Sequence, residues 1–112
     1  MTFGERVREL RLAKELTLRD LAAKVGVGFT YISKIENHKL PNGHGPSEKL
    51  IHKLATELDA DEDELLLLAD RVPELMKKRM RERPEVFLAL TRLGDADLNK
   101  VFEKVPTRPK KR

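Results

Sequence analysis

Between Thr17 and Asn37 (TLRDLAAKVGVGFTYISKIEN) the chain carries two short apolar-periodic segments joined at a glycine, a pattern few folds accommodate. Thr17 is a good helix N-cap. Its hydroxyl can accept from the backbone N–H three residues on, while Asp20 reaches back in a capping box. Leu16 and Leu21 have the spacing of a hydrophobic staple across that start. The first predicted helix runs through Leu18, Leu21, Ala22 and Val25, and Gly26 has the backbone freedom to end it. Gly28 permits a second cap, and Phe29 to Asn37 is the second predicted helix. Neither helix is long enough to be stable alone. Both must press their apolar sides against further helices.

The second helix divides its surface. At about 100° per residue, Ile32 and Ile35 point one way, and Phe29, Thr30, Ser33 and Lys34 point the other. The outward side is small and polar, with one aromatic ring and one cation on a rigid base. A face of that kind suits the DNA major groove, which admits one helix and offers donors, acceptors and thymine methyls.

The rest of the first 70 residues supplies the neighbours. Phe3 to Lys14 reads as a helix with Phe3, Val7 and Leu10 on one stripe and Arg6, Arg8, Arg11 and Lys14 interleaved. Glu15 ends it before the Thr17 cap. After Asn37, His38 to Pro46 (HKLPNGHGP) holds two prolines and two glycines and is read as a loop. Ser47 caps a helix from Glu48 to Leu58, with Leu50, Ile51, Leu54, Ala55 and Leu58 as its apolar positions. Asp61 and Glu64 have capping-box spacing before a helix from Glu62 to about Arg71, which contains Leu65 to Leu68. Strand-type alternation is absent. The expected fold is all-α: a five-helix domain over 1–71.

From Val72 the pattern changes. Pro73 suits the first turn of a helix from Glu74 to Arg83, which is poor in apolar residues and contains the basic run Lys77 to Arg83. Pro84 starts another helix to Leu93. Gly94 ends that one, and Asp95 is expected to cap the last, Ala96 to Val105. There Leu98, Val101, Phe102 and Val105 follow i, i+3, i+4, i+7. Residues 72–105 form the expected helical extension, and 106–112 a short basic tail expected to be disordered.

Charge sharpens the division. Residues 1–56 carry ten Lys/Arg against six Asp/Glu, whereas residues 57–112 carry thirteen of each. The whole net charge of +4 therefore lies in the half that holds the two-helix stretch, a modest bias that fits phosphate binding. With no cysteine, neither a disulfide framework nor a thiolate metal site is available. The opening residues are charged throughout, and the longest apolar run, Leu65 to Ala69, is far short of a membrane span. The expectation is a soluble, cytoplasmic (nucleoid-associated) protein with no membrane association.

Residues 3–69 resemble the lambda-repressor-like, or XRE-type, helix-turn-helix family. Leu21, Ala22, Val25, Gly26, Val27, Ile32 and Ile35 fall at that motif's core spacing, and YISKIEN matches the way its recognition helix finishes. The resemblance implies base contacts by Phe29, Thr30, Ser33 and Lys34. It implies phosphate contacts from the start of the motif's first helix and the segment after Asn37, assigned here to Arg19, Asn37, His38 and Lys39. It also implies a structural ion pair between Arg11 and Glu36, tying the first helix to the third. Two positions depart from the family pattern: Leu18 stands where a glutamine is common, and Phe29 where a polar residue usually opens the recognition helix. The loop after Lys39 is longer than the typical form.

Other constellations are weaker. His38, His44 and His52 are spaced by six and eight with no cysteine to help, so a solvated surface is expected rather than a metal site. The NGHG glycines lack the Gly-Lys-Ser/Thr of a phosphate loop. The acids from Asp59 to Glu64 do not match a calcium loop. No catalytic constellation, metal or cofactor is expected. The stripe Leu98, Val101, Phe102 and Val105 can fold back as core or pair with a second chain; pairing is the expectation, since two-fold symmetry sets two recognition helices about 34 Å apart on a pseudo-palindromic operator. The resulting expectation is a homodimeric, sequence-specific double-stranded DNA-binding transcriptional regulator, a repressor of bacterial or phage type. The alternative is an antitoxin or protease-controlled repressor whose C-terminal helices bind a protein partner.

Overall fold

A computed structural model of the chain describes residues 1–40 and 45–106. Among these residues the secondary structure is wholly helical. The backbone separates into two compact units, one from Met1 to Arg71 and a second beginning at Val72.

The first unit contains α1 (Phe3–Ala13), α2 (Leu18–Val25), α3 (Phe29–Glu36), α4 (Glu48–Leu58) and α5 (Glu62–Leu68). Each contributes one side to a single core. Val7, Leu21, Ile32, Ile51, Leu54 and Leu65 are fully enclosed, with Val25, Leu58 and Ile35 beside them. Tyr31 is half-buried against that core. Burial of these apolar faces, rather than propensity, holds helices as short as eight residues.

The starts of the helices follow the caps legible in the sequence. Thr17 accepts from Asp20 N–H at 3.0 Å while Asp20 accepts from Thr17 N–H at 2.9 Å. Ser47 accepts from Leu50 N–H. Thr2 and Glu5 form a further capping box at α1. At α5 the expected box is only half made: Asp61 accepts from Asp63 and Glu64 N–H, but the Glu64 carboxylate pairs with Arg6 at 3.0 Å. The long Arg6 side chain on α1 offers that carboxylate a charge-assisted partner in place of a backbone N–H.

The Thr17 N–H, and then its hydroxyl, hold the Asp20 carboxyl below its ordinary value. Thr2 does the same for Glu5. A carboxylate lowered in the folded state contributes stability above its unfolded pKa and loses it as pH falls through the folded value. Thermal unfolding followed from about pH 5 to pH 2 is therefore expected to show a falling acid limb. Asp20→Asn should flatten part of that limb and leave the neutral-pH slope unchanged.

The ends of the helices share one device. Leu16, Val27, Lys39, Ala60 and Arg71 each donate a backbone N–H to the carbonyl five residues earlier, at 2.8–3.1 Å. In every case the preceding residue is left-handed: Glu15, Gly26, His38, Asp59 and Asp70. This is the hydrogen bond of a Schellman end. It stops α5 at Leu68, short of the Arg71 expected, and α1 at Ala13.

The second unit contains α6 (Glu74–Glu82), α7 (Pro84–Leu90) and α8 (Asp95–Glu103). The last two end earlier than their apolar patterns suggested. Thr91 caps α7, and Lys104 caps α8. Asp95 is the first residue of α8 rather than its cap. Gly94 holds the extended cap conformation, and no side chain caps this start. None of these three helices has a buried residue. Residues 107–112, most of the expected tail, and the Pro41–His44 part of the expected loop lie outside the described residues.

Candidate nucleic-acid interface

The two-helix stretch is assembled from its turn outward. Gly26 takes φ 76°, a left-handed conformation that glycine adopts without strain, and ends α2. Gly28 is the extended N-cap of α3. With Ile32 and Ile35 buried beneath, α3 exposes Phe29, Thr30 and Lys34, and leaves Ser33 half-buried.

The C-terminal end of α3 is anchored to α1 at three places. Arg11 Nε donates to Glu36 Oε2 at 2.8 Å and Nη2 to Oε1 at 3.0 Å, a two-point pair with both residues buried. The third arm of that guanidinium, Nη1, donates to Leu16 O at 2.8 Å, which joins the α1–α2 turn to the same group. The hydrogen bonds that Arg11 donates to Glu36, and the Glu36 charge, raise the Arg11 pKa. Gly4 makes the second anchor: a Cβ there would stand 2.3 Å from Ile35 O and 3.0 Å from Glu36 O. His38 makes the third, with Nε2 2.9 Å from Thr2 Oγ1. The backbone carbonyls at the end of α3 thus lie against the first turn of α1.

The residues assigned to phosphates divide by what they already touch. Asn37 Nδ2 donates to Ser33 O at 2.8 Å, so its amide closes the last turn of α3. His38 is exposed but engaged with Thr2. Arg19, Lys34 and Lys39 are exposed and form no ion pair among the described residues. The Arg19 guanidinium lies over the Phe29 ring, 4.2 Å from its centre. Of the other histidines, His52 pairs with Glu62 at 2.7 Å, and His44 is outside the described residues.

Three parts of this arrangement escaped the sequence reading. The Gly4 contact had one available signal, a glycine in the first turn of a helix, where it costs stability unless space demands it. The Thr2–His38 and Arg19–Phe29 contacts join different elements and leave no trace in helical periodicity. In the second unit, Leu98, Val101, Phe102 and Val105 are all exposed on or just beyond α8. No helix among the described residues is long and apolar enough to cross a membrane.

The glycine-turned pair of helices, with a short exposed helix set on an anchored base, is the geometry of a helix-turn-helix protein. Residues 7–65 match the helix-turn-helix family model, and the chain belongs to that family. It is 31% identical over 104 residues, 93% of this chain and 72% of the relative, to the uncharacterized HTH-type transcriptional regulator RghRB of Bacillus subtilis (strain 168). Among solved structures it is similar to SinR, a master regulator for biofilm formation, in complex with DNA. That similarity has a TM-score of 0.52 and 34% identity, covering 58% of this chain and 98% of that one. It also shares its fold with a chain of the SinR/SinI complex, with a TM-score of 0.52 and 23% identity, covering 91% of this chain and 92% of that one.

Proposed function

We propose that this chain regulates transcription as a homodimer bound to a pseudo-palindromic operator, with α3 of each copy in a major groove. The observation that carries the reading is the exposed face of α3, held by Arg11, Gly4 and Thr2 while Ile32 and Ile35 occupy the core. Thr30 and Lys34 offer hydrogen bonds to base edges, and Phe29 and Ser33 complete the reading surface. Phe29 has no donor or acceptor, so its part is apolar contact with a thymine methyl. Arg19 and Lys39 supply charge to the phosphates, with Asn37 and His38 at the edge of the same surface. A dimer that covers a promoter acts as a repressor without catalysis.

Dimerisation is supported by the second unit. Three helices without a fully buried side chain leave apolar surface open, and Leu98, Val101, Phe102 and Val105 gain burial against a second copy. The same exposed stripe suits a protein partner. In that second reading the DNA-selected site is a single half-site, and the partner controls release.

Lys34→Ala is the direct test of the reading surface. It should cost roughly 1–3 kcal/mol on the preferred site and relax the choice of base at one position. Titration of preferred and scrambled duplexes at one stated salt concentration measures both effects. Equal selectivity in parent and variant would remove Lys34 from the reading surface.

A further inference from the structure

Arg19 and Phe29 come from different helices, α2 and α3, yet the guanidinium lies 4.2 Å from the ring centre. Both side chains are exposed, and Arg19 has no carboxylate partner among the described residues. An exposed arginine on a flexible stem normally samples many directions. A guanidinium held over an aromatic ring keeps its in-plane N–H donors free while its face is occupied. The contact therefore limits direction without consuming donors.

We infer that Phe29 is a positioning residue for Arg19, and that the guanidinium held over the ring presents oriented donors to phosphate oxygens of the DNA backbone. The inference rests on the DNA-binding reading above. Phosphate is the acceptor because Arg19 stands in the first turn of α2, the helix beside the one that enters the groove. Phe29 then has two roles: its outer edge meets the bases, and its face steers a cation on the neighbouring helix. The arrangement also accounts for an aromatic residue at the first position of α3, where a polar one would read a base directly but hold no cation.

A double-mutant cycle in the full chain separates this from two independent contacts. Parent, Arg19→Gln, Phe29→Leu, the double variant, and Phe29→Trp with and without Arg19→Gln are titrated against one selected duplex over a salt series. Phe29→Leu is expected to weaken binding about two- to fivefold more when Arg19 is present than when it is Gln, the size of an exposed cation–π contact. Arg19→Gln should lower the salt slope by about one unit, and should cost as much in the Trp background as in the parent. In the free protein, the Arg19 side-chain δ protons should show an upfield ring-current shift in NMR spectra that Phe29→Leu abolishes. Equal cost of Phe29→Leu in both backgrounds, or no ring-current shift, overturns the positioning role. If the parent shows no selective DNA binding, the DNA reading itself fails before any variant is compared, and the inference falls with it.

Discussion

Replacing Glu36 with alanine is expected to cost the five-helix unit about 3–5 kcal/mol, because it strands a buried guanidinium without its anion. Arg11 and Glu36 are each 8% exposed, and Arg11 is bonded at two points to the carboxylate and at a third to Leu16 O. At about 0.05–0.15 kcal/mol per residue, a unit of this size has about 4–10 kcal/mol in total. The variant should therefore lose a large share of that stability. Urea titration followed by circular dichroism measures the loss. A paired replacement, Arg11→Met with Glu36→Leu, should recover much of it, since apolar substitutes for a buried ion pair are often neutral or better. A loss under about 1 kcal/mol in Glu36→Ala would mean that the pair does not hold α3 on α1.

Gly4→Ala is the second large effect. The added methyl would meet two backbone carbonyls, Ile35 O at 2.3 Å and Glu36 O at 3.0 Å. Neither can rotate away, so α1 and α3 must separate. Overpacking of this kind costs about 1–3 kcal/mol, and occasionally more. It outweighs the roughly 1 kcal/mol that alanine gains in helix propensity. Gly94→Ala, at the cap of α8, is the control for the added methyl alone, with nothing within 4 Å of it. The midpoint of thermal unfolding should fall for Gly4→Ala and change little for Gly94→Ala. A Gly4→Ala chain as stable as its parent would contradict the close approach of these helices.

The five helices of the first unit were legible because each combines a helical apolar stripe with a cap of recognisable chemistry. Thr17 with Asp20, and Ser47, mark starts whose hydrogen bonds are local in sequence. Their ends were less legible. Of the five left-handed stops only Gly26 is a glycine; His38, Asp59 and Asp70 are of types that adopt that conformation more readily than most but far less than glycine, and Glu15 is not even of these. The hydrogen bond that pays for it runs back five residues, and nothing in the composition announces it. The polar face of α3 followed from the 3.6-residue period, but the contacts that steer and anchor it did not. Gly4 on Ile35, His38 on Thr2 and Arg19 on Phe29 each depend on how helices pack, and helix packing is non-local. In the second unit the apolar spacing predicts longer helices than form, since without burial the last turns have little to hold them.

Whether two copies of α3 read a two-fold operator is decided by selecting bound duplexes from a random pool with the full chain at a stated salt concentration. The expected result is a short preferred half-site, repeated in inverted orientation with centres about one helical turn apart, or a small multiple of it. A pool that stays random after repeated rounds would contradict the assignment of α3 to sequence reading. A single unpaired half-site would contradict the homodimer and leave α8 to a different partner.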